Sequence, residues 1–158
     1  METSYESACN GSAQGRAEML EGACMAGIAF NMTGTAAVHA LSYIFSEEWH
    51  IPHGVACAFT LDVIFRLNIC DEKTCRKLAK VAEALCGKAD VALLLDKITT
   101  LKKKFGLPST FADLQIELDI SRIEELFYKT LDDPKMKNNI IPVDRQTVFE
   151  LIKNKITL

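Results

Sequence analysis

Residues 36–59 read AAVHALSYIFSEEWHIPHGVACAF, and two helices joined by a short turn account for them. The first is expected from about Thr35 to Trp49. Pro52 opens the second at a first-turn position, where its missing N–H costs nothing, and that helix runs to about Asn68. Paired this way, the two helices can bring His39 and His53 face to face.

Working outward, the helical period continues in both directions. From Ala13 to Phe30, Ala17, Leu20, Ala23, Cys24 and Ile28 recur at three- and four-residue steps. Gly22 and Gly27 would weaken an isolated helix, so close packing against a neighbour is expected there. Downstream, Asp71 starts a helix with Leu78, Val81, Ala82 and Leu85 on its apolar face, and Gly87 stops it. Asp90 begins another, striped by Val91, Leu94, Leu95, Ile98, Leu101 and Phe105. Lys102, Lys103 and Lys104 are expected as its solvated end, complementing the helix dipole. Ser121 and Glu124 form a capping-box pattern before Ile123, Leu126, Phe127 and Leu131. Asp133 to Pro142 has the composition of a polar loop, and Asp144 caps a last helix with Val148, Leu151 and Ile152. Nothing alternates with period two. The expected fold is an all-α bundle of about seven or eight helices in a single helical domain, residues 1–158.

The chain has 158 residues, 49% of them hydrophobic, 25% charged, with a formal charge of −3. A weakly acidic chain without a basic cluster argues against nucleic acid as a partner, and its apolar runs are too short and too interrupted for a membrane. The polar start carries Glu2 and Glu6 and does not resemble an export signal, so a cytoplasmic protein is expected. The six cysteines contain no Cys-x-x-Cys pair, and small buried thiols are the expected state, above all for Cys24 and Cys57.

Chemistry concentrates in one place. All three histidines, His39, His50 and His53, fall within fifteen residues. Imidazole is the commonest zinc ligand and suits ferrous iron equally. Small neighbours leave room around His39, and Gly54 removes a side chain beside His53, as crowding near a ligand would require. Tyr43 shares a helix face with His39 and its phenol can reach a bound oxygen. His50, before the turn, is expected at the surface, where it could line a cleft. Two histidines alone are an incomplete shell, and the spacing by itself equally fits a hydrogen-bonded core histidine and a helix-start residue. No glycine-rich nucleotide loop, Walker loop, nucleophile elbow or His-Glu-x-x-His is present.

The ordering Ala26-Gly27-Ile28-Ala29-Phe30, Val38-His39-Ala40-Leu41-Ser42, Ile51-Pro52-His53-Gly54-Val55-Ala56 resembles the signature region of iron-containing alcohol dehydrogenases. Phe105-Gly106-Leu107-Pro108 and Asn139-Ile140-Ile141-Pro142-Val143 are similar to that family's C-terminal half. The resemblance implies a helical domain facing an NAD(P)-binding α/β domain, with iron or zinc held in the cleft by one Asp and three His. Matched residue by residue, His39 and His53 correspond to the last two ligands, which places the metal-ligand helices at about 13–68 and a C-terminal group of helices at 71–158. Tyr43 stands where many members have a substrate-adjacent histidine, similar to the phosphonoacetaldehyde reductase branch.

The first two ligands, at Asp-x-x-x-His spacing, have no counterpart, and neither does the nucleotide-binding domain. The resemblance thus implies the C-terminal part of an NAD(P)-linked alcohol dehydrogenase or aldehyde reductase that binds metal weakly and does not catalyse alone. It would act on a small alcohol or aldehyde when joined to its N-terminal half, or self-associate over uncovered apolar area. The alternative is a free-standing helical protein with a binding or regulatory role.

Overall fold

In a computed structural model that describes residues 3–117 and 119–156, the side chain of Ile152 excepted, the described residues are helical with no strand. They form two compact units, Met1–Thr35 and Ala36–Leu158. The all-α class is as expected. The described helices are nine, because two short ones, α1 and α8, escaped the periodicity.

The first unit pairs α1 (Tyr5–Cys9) with α2 (Ala13–Thr33). Ser12 caps α2 by accepting from Gly15 N–H at 3.1 Å, and Arg16 donates to Gly11 O at 2.8 Å. Close packing falls at Gly15, where a Cβ would collide with Ser7 Oγ and come within 2.6 Å of Ala8 N. It does not fall at Gly27, whose Cβ would have ordinary room. The face expected to be buried is exposed: Ala17, Leu20, Ala23, Cys24 and Ile28 all lie open. The reason is that α1, five residues long, is too short to cover a helix of twenty-one.

The second unit is built on α3 (Ala37–Trp49) and α4 (His53–Asn68). Fully buried Ala37, Ala40 and Ala56 let the two helices approach, and Thr60 on α4 donates to Val38 O on α3 at 3.2 Å. Aromatic rings fill the space beyond. Phe45 meets Phe59 edge-on at 5.0 Å between centroids and Phe127 at 5.8 Å, and Phe59 meets Phe111 at 5.3 Å. Edge-to-face pairs add to the area they bury. Around this core lie α5 (Glu72–Cys86) and α6 (Val91–Lys104), then α7 (Ile120–Thr130), α8 (Pro134–Lys137) and α9 (Arg145–Ile156).

The termini follow the capping residues where those are carboxylates. Asp71, Asp90 and Asp144 accept from backbone N–H groups of the helices they open. Gly87 ends α5 in the left-handed region at φ 77°. The capping box expected at Ser121 is replaced by Asp119, which accepts from Arg122 N–H at 3.1 Å and starts α7 earlier. Asp133 likewise caps α8, with Pro134 in its first turn, inside the stretch expected as loop.

The lysine run also differs from expectation. Lys103 and Lys104 are exposed, but Lys102 is buried. It meets Asp62 of α4 at 3.3 Å, and Lys155 of α9, also buried, meets the same carboxylate at 2.8 and 3.0 Å. Two ammonium groups share one anion. Burial alone would raise Asp62, yet Lys155 and Lys102 together hold it below the usual carboxylate range. Burial lowers Lys155, with Asp62 opposing and the Lys102 charge assisting.

Asp62→Ala should therefore destabilise the unit by about 3 kcal/mol, because it strands buried cations. The Asp62 contribution is complete above the unfolded value of about 3.9 and is lost as pH falls through the lower folded value. Urea denaturation across pH 2 to 7 should show Asp62→Asn losing less stability than wild type on the acid side. Equal acid slopes would contradict this assignment.

Candidate metal centre

The geometry of the histidines follows from how α3 ends and α4 begins. His50 closes α3 in the left-handed region, φ 53°, and its exposed ring stands at the turn. Pro52 precedes α4 in extended conformation, so His53 is the first helical residue and projects back toward α3. The rings of His39 and His53 stand 5.4 Å apart, tilted by 52°. Tyr43, one turn after His39, stacks on His53 at 5.4 Å and 18°. The Nζ of Lys135, on α8, lies 4.9 Å from the Tyr43 ring centre.

Cys57 completes the group. It lies one turn beyond His53 on α4, the i,i+4 spacing that puts both side chains on one face. One ligand atom from each of His39, His53 and Cys57 can be chosen so that all lie within 4.8 Å of one another. Cys57 is half-buried, His39 half-buried and His53 exposed, so the cluster opens to solvent through His53. Cys57, expected as a small buried thiol, is half-buried and faces His53. The helical spacing from His53 was the available signal. Cys24, the other cysteine expected to be buried, is exposed.

Ser42 sets the orientation of the His53 ring. Its hydroxyl donates to His39 O at 2.8 Å and lies 3.3 Å from His53 Nδ1. With its proton given to His39 O, the Ser42 oxygen can accept from Nδ1–H, the tautomer that leaves the His53 lone pair on Nε2. Nε2 faces Cys57 Sγ at 3.6 Å. Burial, with help from the His53 and Lys135 charges, pushes His39 below the ordinary imidazole range. Burial pushes the Cys57 thiol up, with Ser42 opposing. A neutral His39 offers a lone pair at neutral pH.

Gly54 relieves no crowding from the described chain, since a Cβ there would meet nothing within 4 Å. His50 is exposed at the turn, as expected, and the residue beside the two histidines is Cys57. Glu48 pairs at the surface with Arg122 at 2.9 Å. Lys135 lies in the stretch expected as loop, and the Asp133-Pro134 helix start is the sequence signal that it is helical.

The family description "Fe-containing alcohol dehydrogenase, C-terminal" matches residues 1–156, and the chain belongs to this family. It is 28% identical over 148 residues to 1-propanol dehydrogenase PduQ of Salmonella typhimurium, covering 87% of this chain and 40% of that protein. It is 35% identical over 121 residues to 4-hydroxybutyrate dehydrogenase of Clostridium kluyveri, covering 65% of this chain and 32% of that protein. The crystal structure of a 1,3-propanediol oxidoreductase superposes with a TM-score of 0.61 at 24% identity, over 77% of this chain and 32% of that one. That likeness shows the helical fold. The chain spans about 40% or less of the length of these relatives.

In the metal-free chain, His39 should titrate below the ordinary histidine value of about 6.5. Lys135→Ala should move its midpoint upward, short of the ordinary value because burial is the larger cause. Histidine ring resonances followed by NMR between pH 4 and 8 test this. A midpoint unmoved by Lys135→Ala would show that the ammonium does not act on the ring.

Proposed function

We propose that this chain is the metal-holding helical part of an NAD(P)-linked alcohol dehydrogenase or aldehyde reductase, in which residues 1–158 serve as one helical domain. The observation that carries this is the convergence of ligand atoms from His39, His53 and Cys57 within 4.8 Å. A neutral His39, a His53 whose Nε2 lone pair is freed by Ser42 and a nearby thiol form a donor set that fits zinc or ferrous iron. When bound there, such a metal supplies a Lewis acid for the oxygen of an alcohol or aldehyde.

The chain's own side chains have separable tasks in this reading. His39 and His53 hold the metal. Ser42 keeps His53 in the tautomer that leaves Nε2 free. Tyr43 packs flat on His53, which restrains the ring, and its hydroxyl binds a substrate oxygen in this reading. Lys135 brings positive charge to the same side and favours an oxygen that carries partial negative charge. His50, exposed at the turn, has a place at the rim of the substrate cleft. The described residues include no strand, so the nicotinamide nucleotide would be held by other segments. The chain alone is then not expected to transfer hydride. The apolar residues that α2 leaves exposed, among them Leu20, Met25 and Met32, suit burial by such a segment or by a second copy.

The test uses the polypeptide that carries this sequence in its source cells, purified with any partner. His39→Ala and His53→Ala should each lower its bound metal and reduce NAD(P)H-linked turnover of primary alcohols by at least about a thousandfold. Tyr43→Phe should mainly raise KM. Metal content unchanged in both histidine variants would reject the reading in favour of a helical protein with a binding or regulatory role.

A further inference from the structure

We propose that the cavity between α4 and α9 binds a small doubly charged oxyanion, inorganic phosphate or the phosphate group of a small ester, held by Arg66 and Asn154 beside the buried Lys155. Asp62, at its edge, stands more than two turns beyond His53 on α4. The proposal therefore uses neither candidate metal ligand and does not rest on the dehydrogenase reading.

Charge is unbalanced at this place. The side chains of Lys155 and Lys102, 1% and 5% exposed, both close on Asp62, at 2.8 and 3.3 Å. Arg66, one turn after Asp62, lies on the same helix face. Its guanidinium makes no ion pair with a described residue. Three cations thus stand against one carboxylate. Asp113 also feels the Lys102 charge, but its carboxylate is engaged by the Ser109 and Thr110 N–H groups at 2.9 and 2.8 Å. Buried charge without a counter-ion is costly, and an anion entering from solvent offsets that cost.

Space and donors are present where the charge is. A cavity of about 360 Å³ is lined by Asp62, Val63, Arg66, Asn154 and Lys155. One water occupies roughly 30 Å³ of liquid, so the cavity admits an oxyanion with part of its hydration shell. The planar fork of Arg66 matches two phosphate oxygens, and the Asn154 amide adds an uncharged donor. Lys155 Nζ is fixed by both Asp62 oxygens and lies 4.8 Å from the Phe59 ring centre. Burial pushes Lys155 below the ordinary ammonium range and Asp62 opposes it, while the Lys102 and Arg66 charges push the same way as burial. The cations therefore act on one another across this cavity. Asp62 repels an anion, and the three cations outweigh it by two charges, which a doubly charged oxyanion matches and a monocarboxylate does not.

Phosphate is the probe, titrated by calorimetry into the purified polypeptide that carries this sequence in its source cells, with chloride matching the ionic strength. Wild type should bind one phosphate per chain and melt at a higher temperature in phosphate than in chloride. Arg66→Ala should weaken binding by at least about tenfold. Arg66 is exposed, so that variant should fold like wild type. Arg66→Lys should fall between the two, because it keeps the charge and loses the fork. Asp62→Asn should bind phosphate more tightly than wild type while being the less stable protein in chloride, a combination that a damaged fold would not give. Sulfate should compete with phosphate and acetate should not. Glycerol phosphate binding more tightly than inorganic phosphate assigns the site to an ester, and weaker binding assigns it to the free ion. Wild type that shows neither phosphate binding nor stabilisation beyond chloride overturns the site. So does an affinity unchanged in Arg66→Ala, the result expected of phosphate held at a metal instead.

Discussion

The close packing of α3 on α4 is the constraint on which the second unit depends. Three alanines with no exposed surface, Ala37, Ala40 and Ala56, keep the helix faces thin, and Thr60 ties across to Val38 O. With larger residues there the helices would stand farther apart, and the rings of His39 and His53 could not meet at 5.4 Å. The same pair carries Phe45 and Phe59, whose rings organise α7 through Phe127 and the segment before it through Phe111. Core and candidate site are thus two ends of one helix pair.

Polar groups in the interior do different work. The Asp62, Lys102 and Lys155 group joins α4, α6 and α9 at a place where an apolar contact would have served stability as well or better. What it adds is register: a single carboxylate accepts both lysines only in one arrangement of three helices. Asn68 and Asn139 do the same at the end of α4, exchanging amide hydrogen bonds at 3.1 and 2.9 Å, while Asn139 also donates to Ile141 O at 2.7 Å. That second tie holds the segment after α8, and hence Lys135, near Tyr43. The Lys135 charge, which adds to burial in lowering His39, thus depends partly on a contact remote from the site itself.

The helical class, the extents of α3 to α6 to within about two residues, and the pairing of His39 with His53 were all legible in the sequence. They rest on local rules: helical period, a proline at the helix start, aspartate caps and a glycine stop. Helix starts were misjudged where two caps competed. At α7, Asp119 prevailed over Ser121 because its carboxylate reaches the Arg122 N–H. The buried state of Lys102 was not legible, because a lysine on a helix end reads as solvated unless its partner forty residues away is known. Cys57 was read as core for the same reason: hydrophobic neighbours in sequence say nothing of what faces the thiol across the turn.

By itself, then, the sequence determined where the chain is helical, that imidazoles gather at one turn, and, through a specific ordering of residues, the family to which it belongs. These are properties of spacing along a helix, which is the same wherever the helix lies. Tertiary structure decided which lone pair His53 presents, that Cys57 joins it, that His50 does not, and that α8 brings a lysine to Tyr43. Each depends on a contact between separate elements, or on a hydroxyl with a single proton to give. Such contacts have no periodic trace in the chain, because they arise from how helices pack and not from how any one of them forms.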